Sequence, residues 1–434
     1  MIPVPLLLAL QQPVMPADTT SGRPCVLVVD SIGHQAKQQD LGGGVQNIFA
    51  GGGVYAHCRG TTTTLFSDST IWLGSSNRLD LLGNVHIRDT SLTLDANYVN
   101  YYRLEERLEA HNNVVAVNRN NGSVLRGPNL TYWRAATSIR DTVEMYATQR
   151  PTIQYRGSGV ADSVEPYVIV ADRVRFKGND RMWAGGNSTI DRSDFAARGD
   201  SMLLDQTSGA GVLVGKPRVE GKGPQSYVLT GTRIELGLTA REVRLVKALG
   251  DGKATSADWV LTADTIHLAV ERRKLQQAFA WGRTSRPHAI STLQDIRADS
   301  LALDVPEQVL TEARGFGNAL SRSRRDSSAS AADPDWIAGD TLTARWAQER
   351  DSAGASRSRI RRIFARGSAR AFTHLYSRDS TTGPSLNYSR GKSIDITLRQ
   401  ARIDRVTVAG RADGVQLEPR PPAPPDTTAQ RDST

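Results

Sequence analysis

An eight-residue pattern, apolar-x-small-Asp-x-apolar-x-apolar, recurs along the whole chain and limits what it can fold into. IVADRVRF (169–176), LTADTIHL (261–268) and IRADSLAL (296–303) fit it at every position. IAGDTLTA (337–344), ARGDSMLL (197–204) and LTGTRIEL (229–236) fit almost as well, and LDANYVNY (94–101), LRGPNLTY (125–132), LFSDSTIW (65–72) and SRGKSIDI (389–396) are looser copies. Most of these ten copies lie about 30 residues apart. A shorter strand ending in glycine follows most of them, as in RLDLLGNVHI (78–87), RLEAHNNVVAV (107–117), RMWAGGNSTI (181–190), IFARGSARAF (363–372) and VTVAGRADGV (406–415).

Alternation at period two gives each strand one apolar face, so a single two-strand unit cannot bury itself and neighbouring units must stack. The small residue before Asp suits a bulge or corner, and an Asp placed there can bond nearby backbone. Helical periodicity is almost absent; REVRLVKAL (241–249) is the one tempting stretch, and it occupies a second-strand position. The expected fold is all-β, an elongated stack of about ten antiparallel two-strand repeats, as a solenoid or an open jelly roll.

The chain has 434 residues, 39% of them apolar, enough for a sizeable core. The N-terminal segment 1–20 reads as a signal peptide around the apolar run 6–10. Residues 21–150 form a first stack, 151–166 a joint holding Pro151 and Pro166, and 167–418 a second stack. Stretches 321–335 and 350–359 read as polar loops, and the proline-rich tail 419–434 as disordered. After the N-terminus no run reaches the roughly 18 apolar residues of a spanning helix, so the mature chain is expected to be soluble.

The net charge is +9, and arginine carries it: 46 of the 54 basic residues. Such a balance suits an anionic partner or a solvated face, and the run 357–370 is its densest part. Aromatic residues are too few among the basic ones for a stacking nucleic-acid surface, so no nucleic acid is expected. The seven histidines are scattered, with no HExxH and no Cys/His set at ligand spacing, and there is no GxSxG. No enzyme activity, metal or cofactor is expected. Cys25 and Cys58 could pair in an oxidising compartment or remain buried thiols in a reducing one.

The run GNVHIRDTSLTLDANYVNYYRLEERLEAHNNVVAV (83–117) resembles the OstA-like (LptA-like) repeats of lipopolysaccharide-transport proteins. Leu94, Ala96, Val99, Tyr101, Arg107, Leu108, Ala110 and Val114 fall on their pattern, while Asn97 stands where Asp is usual. The copies at Ala171, Ala263 and Ala298 restore that Asp. The resemblance implies a partly open antiparallel β-jelly roll, or β-taco, in the periplasm. Its apolar interior would shield acyl chains of lipopolysaccharide or a similar glycolipid on the way to the outer membrane. It also implies partners: other jelly-roll transport components, or a second copy through edge-strand pairing, and an outer-membrane assembly protein. Val99, Tyr101, Leu130, Tyr132, Val174, Phe176, Ile266, Leu268, Leu301 and Leu303, which alternate after the small-Asp pairs, would line the groove. The competing expectation is an all-β repeat scaffold with a filled core, binding protein or polysaccharide on its outer face.

Overall fold

The computed structural model describes residues 26–34, 36–136, 138–156, 165–178, 180–223, 226–239, 242–306, 309–324, 334–350, 356–375, 384–399 and 402–419. The expected signal, Cys25 and the tail from residue 420 onward lie outside them. The described chain is almost entirely antiparallel β-strand, with one 3-10 turn at Gly74–Ser76. It divides into two compact units, Met1–Ala184 and Gly185–Thr434.

In the first unit the strands run β1 (Leu27–Ile32), β2 (Lys37–Asp40), β3 (Gln46–Cys58), β4 (Thr64–Leu73), β5 (Arg78–Arg88), β6 (Leu92–Tyr102) and β7 (Arg107–Asn118). They continue as β8 (Val124–Trp133), β9 (Glu144–Thr148), β10 (Thr152–Tyr155), β11 (Tyr167–Val170) and β12 (Arg173–Lys177). Consecutive strands from β3 to β8 pair as hairpins. Each ladder breaks in its middle, so each strand has two arms.

The break is a corner built from two complementary pieces of sequence. One strand supplies the small-Asp pair. The other supplies two successive left-handed residues: Gly83 and Asn84 in β5, Asn112 and Asn113 in β7. At the first, Phe66 pairs with His86 and Ser69 with Leu82, and the residues between leave the ladder. The second unit repeats the device, with Gly317 and Asn318 set against Asp299 and Gly367 set against Asp340. The recurring Asp is thus a corner residue, and the glycine that the sequence pattern places at a strand end lies inside a bent strand.

The two arms feed two walls. The first arm of β8 pairs with β10, and its second arm pairs with β9. β10 then continues to β11 and β9 to β12. Residues 151–166, expected as a joint, therefore open with a strand of the wall. β9 and β10 together make a second-strand element whose left-handed pair is Gln149–Arg150. Without a glycine there, the sequence pattern does not show it. Arg150 donates from Nη1 to Asp172 at 3.1 Å, which closes this corner on the IVADRVRF copy.

The second unit stacks in the same way from Phe195–Asp205 to Asp413–Leu417. From Glu242 onward REVRLVKAL lies in strand Glu242–Ser256, not in a helix. The expected polar loops are narrower than the sequence suggests, because Ser321 lies in strand Glu312–Ser323 and Ser358 in Ser356–Leu375.

Candidate functional site

The structure gathers the ten expected groove residues into cross-strand rows. In the first unit Val99, Ala110, Leu130, Ala147 and Val174 form one row over β6, β7, β8, β9 and β12. Tyr101, Leu108, Tyr132, Met145 and Phe176 form the next. In the second unit Ile266, Ala280 and Leu301 share a row, as do Leu268, Ala278 and Leu303. All of these but Met145 are buried, and Val99, Ile266 and Leu268 show no exposed surface. Rows form because side chains of paired residues point to the same face of a sheet.

Packing is not uniform along the rows. In the first unit a cavity of about 230 Å³ lies between the walls. On one wall the row Tyr132–Met145–Phe176 lines it. On the other wall the row Ala116–Leu125–Ile153 lines it. Ala116 is the small member of these six, and the space opens beside it. Tyr155 and Phe176 meet across the cavity from opposite walls, with ring centroids 6.1 Å apart and planes 27° apart.

The polar part of the lining comes from turns. Asn118, Asn120, Asn121 and Ser123 belong to the β7–β8 turn, and Asp141 and Thr142 to the segment before β9. Asn118 Oδ1 accepts from the Asn120 amide and Asn121 Oδ1 from the Ser123 amide, both at 2.9 Å. The Tyr132 phenol is pushed up by burial and further by the Asp89 charge, while a hydrogen bond from Ser91 opposes the shift. It stays neutral and presents its ring to the cavity.

Close to this lining is an ion cluster around the buried Glu106. Arg134 places Nη1 3.6 Å from Glu106 and Nη2 3.6 Å from Asp89. Burial, and then the Glu106 charge, raise the Tyr101 phenol. The cluster ties the turns after β5 and β6, through Asp89 and Glu106, to the chain just after β8 at Arg134. Among the described residues no group of three or more His, Cys, Asp or Glu is placed to hold a metal.

Of the expected groove residues, only Tyr132 and Phe176 line this cavity. Met145, Ile153, Tyr155 and Ala116 were not among them. The segments EMYAT and TIQY do alternate at period two, and that signal would have found the first three. Cys58 is buried and disulfide-bonded, and Cys25 lies outside the described residues. The arginine-rich run sits in strand Ser356–Leu375, where Arg362 forks onto Asp395 of the neighbouring strand at 2.8 and 2.5 Å. Those side chains are half-exposed, so there the run behaves as a paired, solvated face.

No protein-family model and no curated protein matches the chain. Among solved structures, it is similar to the crystal structure of LptH from Pseudomonas aeruginosa, the LptA-homologous periplasmic component of the conserved lipopolysaccharide transport device. The match has 15% identity and a TM-score of 0.25, and covers 29% of this chain and 94% of that one.

Proposed function

We propose that this protein is a periplasmic, non-enzymatic carrier that shields acyl chains of lipopolysaccharide or a related glycolipid between its two β walls. One observation carries the reading. An apolar cavity opens between facing wall rows, at Tyr132 and Phe176, with hydrogen-bonding turns beside it. Each methylene taken out of water there contributes about 0.8 kcal/mol, enough to hold a chain that water rejects. The edges of the stack suit partners of the same architecture. The strand Asp413–Leu417 is exposed throughout, with Val415 and Leu417 each 59% exposed. Such an edge can accept a strand from a second copy or from another jelly-roll component.

The test is mass spectrometry of lipid extracted from protein purified from its native envelope without delipidation. Stoichiometric acylated glycolipid, lost in a folded Phe176→Asp variant, is the expected result. Lipid-free protein with a cooperative melt would overturn the reading.

A second reading has its own observation. On the outer face of the first unit Tyr55, Phe66 and His86 stand side by side on paired strands, with centroids 4.5 and 6.0 Å apart. Tyr55 is 54% exposed. A scaffold with a filled core would use such a platform to bind protein or polysaccharide, and the lipid-free outcome would favour it.

A further inference from the structure

We infer that the cavity of the first unit is a measured site for the end of one medium-length alkyl or acyl chain, carrying an uncharged, hydroxyl-bearing head. The inference rests on the carrier reading and specifies what a single unit takes.

The length follows from volume. An apolar cavity of about 150 Å³ takes up one benzene, so this one, at about 230 Å³, holds about nine chain carbons. The stacked Tyr155 and Phe176 rings reach across from both walls, so lengthening the space means moving packed aromatics. The next row on the Tyr132–Met145–Phe176 wall is closed, with Val99, Leu130 and Val174 at most 2% exposed. The site therefore has an end, unlike an open trough.

The head follows from the turns. Their lining side chains are amides and hydroxyls, with one carboxylate, Asp141. Asn121 uses its oxygen on the Ser123 amide, which leaves its nitrogen as a donor toward a ligand. The nearby cations are engaged elsewhere. Arg119 donates to the Asp89 carbonyl at 2.8 Å and Arg140 to the Arg134 carbonyl at 3.3 Å, and neither lines the cavity. A carboxylate or phosphate head would face Asp141 without a lining cation. A sugar hydroxyl can give its proton to Asp141 and accept from Asn121.

The experiment titrates the full chain with n-alkyl glucosides from hexyl to tetradecyl, below their micelle concentrations, by calorimetry. Affinity should rise about fourfold per methylene, the equivalent of about 0.8 kcal/mol, up to about nine carbons and then level off. Alkyl carboxylates of equal length should bind more weakly. Ala116→Leu adds three carbons to the wall and should shorten the plateau length by about three carbons; Phe176→Leu should lengthen it. Affinity still climbing from dodecyl to tetradecyl, or a plateau that neither variant moves, overturns the measured site and leaves the carrier reading standing. Carboxylates binding as tightly as glucosides overturn the uncharged head. Absence of binding at every length overturns both the site and the carrier reading.

Discussion

Asn84 donates from Nδ2 to the Asp68 carboxylate at 2.9 Å across the corner between β4 and β5, and Asn318 makes the same bond to Asp299 at 3.0 Å in the second unit. Between each pair sits a glycine with no room for a side chain. A Cβ on Gly83 would lie 2.4 Å from Asp68 Oδ2, and one on Gly317 would lie 2.3 Å from Asp299 Oδ2. Both glycines have φ above +70°. The Asp of the repeat is therefore tied to the glycine of its neighbour by space as well as by hydrogen bonding.

That coupling is measurable. Gly317→Ala should cost at least about 1–2 kcal/mol for the left-handed backbone, plus the clash with Asp299. Asp299→Ala should cost about 1 kcal/mol for the lost hydrogen bond. Because Asp299→Ala also removes the clashing carboxylate, the double variant should be less destabilised than the sum of the two. Urea unfolding of the four proteins checks this, and strict additivity would show that the contact is not there.

The cavity makes two alanines of one strand behave differently. Ala116 borders empty space, whereas Ala110 sits in a closed row at 1% exposure. Ala116→Leu should be neutral or stabilise by up to about 1 kcal/mol, while Ala110→Leu should destabilise by about 1–3 kcal/mol through overpacking. Thermal melts of the two variants decide it.

In the second unit Leu268 has no exposed surface and sits in the row Leu268–Ala278–Leu303. Leu268→Ala should cost about 2–5 kcal/mol, the transfer term plus the cavity left behind. A loss under about 1 kcal/mol in urea unfolding would mean that the row is loose enough to collapse or already open.

Tyr227 sets an alkaline limit. Burial, and then the Asp194 carboxylate, push its phenol up to about 12 from the ordinary 10.0. The unfolded chain loses this proton near the ordinary value and the folded chain keeps it longer. Between those pH values the unfolded state binds fewer protons, so stability falls as pH rises, by at most about 1.4 kcal/mol per pH unit. The contribution is intact below pH 10. Tyr227→Phe keeps the ring, which packs on Gly221, and should flatten stability against pH in that window. Denaturant midpoints measured across it, with ultraviolet titration of tyrosinate, test the assignment.

At the end of the stack, Val415→Lys with Leu417→Lys should weaken self-association and leave the melting temperature within a degree or two, because both side chains are mostly in solvent. Sedimentation velocity reads the association. If it is unchanged, the contact lies elsewhere.

The sequence by itself determined the all-β alternation, which residues share a face, and the corners marked by a small residue before Asp. Alternation is a local property: whichever strand Val99 or Ile266 pairs with, its neighbours at i±2 share its face. A small residue before Asp likewise marks a corner wherever it stands. Tertiary structure decided the rest. The Gln149–Arg150 corner carries no glycine, and only its pairing with the Asp172 strand identifies it. The pair of buried Glu106 with Arg134 joins strand ends that no spacing connects. The cavity is a difference between two walls. Ala116 faces a row assembled from Tyr132, Met145 and Phe176, and a volume set by residues that distant in sequence has no local signature.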